Sequence, residues 1–212
     1  MECDTTVNLS DEQWMFINGI MLWAKGVLLQ GEHLLSIHEH ISNTFTNIEK
    51  DDVFSNYPHN YKELSDTQRR EEDYFILALY NTIYYLLHAS HSLAGFKVFY
   101  DDLEAVNGVG HIKDIRDMRV HIDEYIKGRG GKQKNNARYV YESPNDIYPS
   151  EPFANHLFVA DASSTIVFSD AYLIGGRVNV QKTINKLNEL LPKIIKLCEK
   201  YLYPVIKTDL LC

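Results

Sequence analysis

"YFILALYNTIYYLLHASHSLAGF", residues 74 to 96, carries no charged side chain over its whole length. A helix of that length can cross a bilayer, so its reading decides between a membrane protein and a helical bundle. Asn81, Thr82, His88, Ser90, His91, Ser92 and Gly95 interrupt it, and the charged run "RREED" (69–73) abuts its start. Such groups are costly in lipid but tolerable in a protein interior where they find hydrogen-bond partners. The stretch therefore reads as a central bundle helix, and no membrane association is expected.

The neighbouring segments extend this reading in both directions. Ser65 is placed to open the central helix, whose apolar face runs through Phe75, Leu79, Ile83, Leu86 and Leu87. Upstream, "LSDEQWMF" (9–16) has Ser10 as N-cap with Gln13 three residues on, a capping-box pattern. Apolar residues then recur at Trp14, Ile17, Met21, Leu28, Leu35 and Ile41, predicting one long helix to about residue 48 with a bend at Gly26 or Gly31. A polar connection covers 49–64. Downstream, Gly95 marks an end or bend, a short helix is expected over 97–106, and "NGVG" (107–110) leads into a further helix carrying "IRDMRVHIDEYI" (115–126).

Beyond Ile126 the composition changes. "KGRGGKQKNNAR" (127–138) holds three glycines and reads as a loop. The runs "ARYVYE", "HLFVADASSTIVF" and "AYLIGGRVNV" that follow are rich in β-branched and aromatic residues and read as strands. From Val180 the helical period returns through Ile184, Leu187, Leu191, Ile194, Cys198 and Leu202, with Pro192 expected to kink that helix. The predicted fold class is mainly α: a bundle of about four to five helices, with a small antiparallel β-sheet or hairpin inserted at about 138–180 before the C-terminal helix. One domain, 1–212, is expected.

A hydrophobic fraction of 45% with 24% charged residues describes a globular protein, and a net charge of −8 excludes a uniformly basic coat for nucleic acid. The three cysteines, at 3, 198 and 212, form no C-x-x-C pair. With no apolar signal segment at the start, a cytoplasmic location is expected. His33, His38 and His40 lack the Glu-x-x-His partner of a di-metal bundle, so they read as a solvated face, and no metal is expected. His88 and His91 read as hydrogen-bonded interior histidines. "NGVGH" and "IGGRVNV" fit no nucleotide-binding loop and read as turns, so no cofactor is expected.

The charged helix 115–126 is different. At about 100° per residue, Ile112, Ile115, Met118, Ile122 and Ile126 form one stripe. Arg116 and Asp123 flank one edge with Arg119 leaning onto the stripe, while Asp117, His121 and Tyr125 lie beyond the other. An arginine on the margin of the stripe needs a partner, which Asp123, four residues after Arg119, is spaced to supply, and Asp117 is placed to fix the tautomer of His121. Between Lys113 and Arg138 there are eight basic and four acidic residues, a local +4 that leaves −12 elsewhere. Lys127, Arg129, Lys132 and Lys134 are thus candidate contacts to a polyanion, with a merely solvated loop as the plainer alternative.

Arg116 and His121, with four residues between them, resemble the R-x4-H motif of HEPN-domain proteins, and the helical context is similar over about residues 10–127 plus the last helix. The resemblance implies a homodimer in which the two motifs face each other. It also implies a metal-independent endoribonuclease of toxin–antitoxin or defence type, with Arg116 and His121 catalytic and Asp117, Arg119, Asp123 and Tyr125 supporting. RNA and a protein antitoxin or regulator are the partners implied. Two features depart from the family. The tyrosine found two places after the histidine in one toxin subgroup is Asp123 here, and the β segment lies outside the minimal bundle. Arg116 and His121 would point roughly 140° apart on an ideal helix, so an active site would require two chains. The competing expectation is a non-catalytic HEPN-like module that binds a protein or nucleotide, with Arg116–Asp123 and Asp117–His121 as structural pairs. A third is that the β segment is itself the interaction surface.

Overall fold

A computed structural model describes residues 9–46, 61–121, 139–142, 157–160, 165–167 and 171–203. Among them are helices α1 (Asp11–Thr46), α2 (Tyr61–Ser92), α3 (Phe96–Asn107), α4 (Val109–Val120) and α5 (Val180–Leu202). Between α4 and α5 lie strands β1 (Tyr139–Glu142), β2 (Leu157–Ala160), β3 (Thr165–Val167), β4 (Tyr172–Ile174) and β5 (Val178–Asn179). The architecture is the mainly helical one expected, with antiparallel strands before the last helix.

The reciprocal cap at Ser10 is present: the Gln13 amide donates to Ser10 Oγ at 3.2 Å, and the Ser10 amide to Gln13 Oε1 at 3.0 Å. From there α1 buries Ile17, Ile20, Ala24, Val27 and Leu34, alternate steps of three and four, while Trp14 is exposed. The seam thus lies beside the one expected. Two of its glycines, Gly19 and Gly31, serve close packing. A Cβ on Gly19 would lie 2.9 Å from the Tyr85 ring, and one on Gly31 only 2.7 Å from Ile184 Cδ1. These contacts seat α1 antiparallel on α2 and against α5.

Helix α2 begins at Tyr61, four residues before the expected Ser65. "YKEL" contains good helix formers, and the Thr67 hydroxyl bonds back to the Glu63 carbonyl at 2.8 Å, so nothing stops the helix at Ser65. Phe75, Leu79, Ile83 and Leu86 are buried as expected. Gly95, at φ 93°, ends the turn after α2, and Gly108, at φ 73°, separates α3 from α4. No described helix is long and apolar enough to cross a membrane.

At the α3–α4 corner Asn107 is buried, donating to Thr183 Oγ1 at 2.7 Å and accepting the Asn179 amide at 2.9 Å. Asn179 in turn caps α5 by accepting the Lys182 amide. The strands form two antiparallel sheets, β1–β2 and β3–β4–β5. "AYLIGGRVNV" is a hairpin rather than one strand: Gly175 (φ 61°) and Gly176 (φ 67°) turn the chain, and the Arg177 amide closes it onto the Ile174 carbonyl at 3.2 Å. Two successive positive-φ residues match the right-handed twist of the flanking strands. Within "HLFVADASSTIVF" lie β2 and β3, which belong to different sheets.

Candidate functional site

Helix α4 lies antiparallel along α2, with Ile112, Ile115 and Met118 in the core. The next position on that stripe, Arg119, is charged, and α2 matches it. Glu72 lies one turn before Phe75 and Ile76, on the buried face. Arg119 Nη2 donates to Glu72 Oε2 at 2.7 Å, with the two side chains only 5% and 6% exposed, and Nη1 reaches the half-exposed Asp73 at 2.8 Å. The other oxygen of Glu72 accepts the Tyr172 hydroxyl at 2.5 Å and Thr165 Oγ1 at 2.8 Å. Gln68 donates to the Tyr172 oxygen at 2.7 Å. Burial drives the Arg119 pKa down, but the two carboxylates outweigh it, so its charge is held more firmly than usual. Burial and the adjacent Glu72 charge push the Tyr172 phenol far up, and it acts as a fixed donor.

Arg119 is therefore the core arginine, as its lean towards the stripe suggested, and its partners come from α2. Glu72, Asp73 and Tyr172 were not among the residues singled out. The signal was present, since a carboxylate stands on the apolar stripe of α2 just as an arginine stands on that of α4.

Arg116 sits on the outer side of α4. Its guanidinium pairs with its neighbour Asp117, Nε at 3.0 Å and Nη2 at 2.5 Å, and lies 4.1 Å over the centre of the Tyr80 ring. Its carboxylate partner among the described residues is Asp117; the expected partner Asp123 lies outside them. The pairing also shows Asp117 serving Arg116, where it was expected to serve His121. Helix α4 ends at Val120, and exposed His121 caps it at φ −109°, ψ 33°, its amide donating to the Asp117 carbonyl at 3.1 Å. Tyr125, Lys127, Arg129, Lys132 and Lys134 also lie outside the described residues.

Beside Arg116 runs a groove of about 220 Å³ lined by Asp73, Tyr74, Ile76, Leu77, Arg116, Arg119 and Val120. Its rim is apolar and open to solvent: Tyr74 is 54%, Leu77 38% and Val120 66% exposed. Within one chain, then, Arg116 and Asp117 are together, Arg119 is turned into the core, and His121 stands at the helix end.

The histidines differ from expectation in part. His33 faces Glu71 at 3.4 Å on the exposed side of α1, while His38 is half-buried, edge-on to Tyr172, and burial lowers its pKa. His88 and His91 lie on the outer stripe of α2, where their rings pack on neighbouring rings, rather than in the interior. Among the described residues no group of three or more His, Cys, Asp or Glu side chains could hold a metal ion. Compared with protein-family models, curated proteins and solved structures, the chain matches none.

Proposed function

We propose that the protein is a HEPN-like endoribonuclease needing no metal, whose site is completed when two copies meet across the α2–α4 groove. The observation that carries this reading is the placement of Arg116 in the wall of an exposed apolar groove, with His121 at the adjoining helix end. Exposed apolar surface of this kind favours association, and two-fold pairing on it would bring two Arg116 and two His121 side chains to one cleft. The basic segment 127–138 follows this helix after six intervening residues in sequence and would meet the RNA backbone. A toxin or defence role, in the cytoplasm and with a protein that neutralises it, is the setting this activity suits.

The chemistry is a transesterification. The ribose 2′-oxygen attacks the adjacent phosphorus, the bond to the 5′-oxygen breaks, and a 2′,3′-cyclic phosphate and a free 5′-hydroxyl result. One His121 would take the 2′-proton and the other would protonate the leaving oxygen. Arg116, already oriented by Asp117 and Tyr80, would stabilise the charge on the pentacoordinate phosphorus with its planar donors.

Arg116→Ala and His121→Ala should each lower RNA cleavage at least 100-fold, on the order of a lost general acid–base group, with unchanged circular dichroism. The dimer should sediment as such in both. Undiminished cleavage in either variant would refute the assignment. The Arg116–Asp117 pair also favours a second reading, a non-catalytic module in which Arg116 is structural. In that case Arg116→Ala would lower stability, and purified protein in excess would leave RNA intact.

A further inference from the structure

Arg116 is the end of a longer feature. Along α2, Tyr80, Tyr84, His88 and His91 follow at steps of four, four and three, within an 80° sector of the helix. Their rings are in successive contact. Tyr80 and Tyr84 stack with centres 6.2 Å apart at 25°, Tyr84 meets His88 at 4.2 Å, and His88 meets His91 at 6.0 Å. The Arg116 guanidinium covers the far face of this ladder at Tyr80. Tyr84 is 43% exposed and His91 is open to solvent. The ladder spans about 16 Å of helix axis.

We infer that this ladder binds single-stranded RNA, its bases stacking on the exposed rings while a phosphate lies at Arg116. Three observations favour that occupant. Planar rings with polar edges bind any base through its π-face, so a row of them is a sequence-tolerant platform. The row carries no carboxylate: in a chain of net charge −8, α2 has none from Tyr74 to Ser92 that would repel phosphates, and Asp117, the carboxylate beside Arg116, is ion-paired with it. And the row differs from the groove on the other side of Arg116, where Leu77 and Val120 present the aliphatic surface that suits a protein partner. A strand with its reacting phosphate at Arg116 would lay its neighbouring nucleotides along α2. Duplex RNA buries its base faces, so the ladder selects for single strands. The inference deepens the proposed nuclease reading by naming its substrate class, but it stands on binding and survives without cleavage.

The test is fluorescence anisotropy with the full-length protein and a labelled 12-nucleotide 2′-O-methyl oligonucleotide, which cannot be cleaved, beside a hairpin of the same composition. Tyr84→Ala should raise Kd about tenfold, in the range of one lost base–aromatic stack. Tyr84→Phe should hold it within about twofold, because the π-face and not the hydroxyl is used. The hairpin should bind at least about tenfold more weakly than the single strand. Equal affinity of wild type and Tyr84→Ala, or equal binding of hairpin and single strand, would overturn the ladder. So would dissociation of the dimer by Tyr84→Ala in sedimentation, which would make this face an interface between copies. If Tyr84→Ala still cleaves a dinucleotide yet binds the 12-mer normally, the ladder fails and the nuclease reading stands. Binding that follows the pattern above in a protein that cleaves nothing supports the ladder and sinks the nuclease.

Discussion

The Glu72 carboxylate joins three partners, the charge of Arg119 and the hydroxyls of Tyr172 and Thr165, with Gln68 behind Tyr172. Removing one side of a buried ion pair strands the other, so Arg119→Met should cost about 3–5 kcal/mol in urea unfolding. The double variant Glu72→Leu/Arg119→Met should recover most of that loss, since a buried pair replaced by apolar side chains is often close to neutral. Tyr172→Phe should cost about 1.5–3 kcal/mol, the range for a hydrogen bond to a charged group. His38, packed against the same tyrosine and lining a depression with Arg69 and Glu72, adds a pH dependence. Burial lowers its folded-state pKa below 6.5, so the unfolded chain binds the proton more readily and stability falls as pH drops through 6.5. His38→Gln should flatten the decline of the urea midpoint between pH 7.5 and 5.5. At this scale the sequence displayed the anomaly, an arginine on an apolar stripe, but not its answer. The helical wheel relates residues within one element, and Glu72 lies 47 positions away.

Helices were readable because their signals are local: the Ser10–Gln13 cap, the uncharged core of α2, the return of period at Val180. The glycines of α1 were not. In a helix a glycine can mark a bend or a notch for a neighbour, and the sequence does not name the neighbour. Gly26 and Gly31 should now separate experimentally. A Cβ at Gly26 meets only Ala78 at 3.7 Å, an ordinary contact, so Gly26→Ala should stabilise by about 0.5–1 kcal/mol through helix propensity. Gly31→Ala drives into Ile184 and Phe75 and should cost about 1–3 kcal/mol. Ile184→Val in the Gly31→Ala background should return part of it, because Ile184 Cδ1 is the nearest atom to the added methyl. Thermal melts of the four proteins decide this. The strand runs were recognised as β but not divided correctly, because β-propensity marks a surface and not a boundary. The glycine pair at 175–176 was the punctuation that split one of them.

For the whole molecule, α5 closes the bundle against α1 and α3, and its Cys198 is fully buried with the thiol pKa pushed up to about 12, chiefly by burial. The thiolate is the reactive form. In a Cys3→Ser/Cys212→Ser background, native protein should therefore label with iodoacetamide only through opening of α5, and at the free-thiol rate in urea. Rapid labelling without denaturant would show that α5 detaches easily. The candidate site divides along the same lines. Arg116, Arg119 and His121 could be found from the chain alone, but which arginine faces the core, and which ring supports the other, required α2 beside α4.

The Tyr172–Glu72 bond joins residues 100 positions apart. It matters for the order of assembly as well as for the finished structure. Helix α5 must find α1 across most of the chain, and the entropy of closing so long a loop slows folding. Once the β4 tyrosine is fastened to α2, however, α5 follows only eight residues later at Val180. The search then shrinks to a short tether. Folding of Tyr172→Phe should accordingly be slowed more than its unfolding is accelerated, giving a φ-value above 0.5 in stopped-flow chevrons. The insertion before the last helix would then be the device that delivers α5 to its groove.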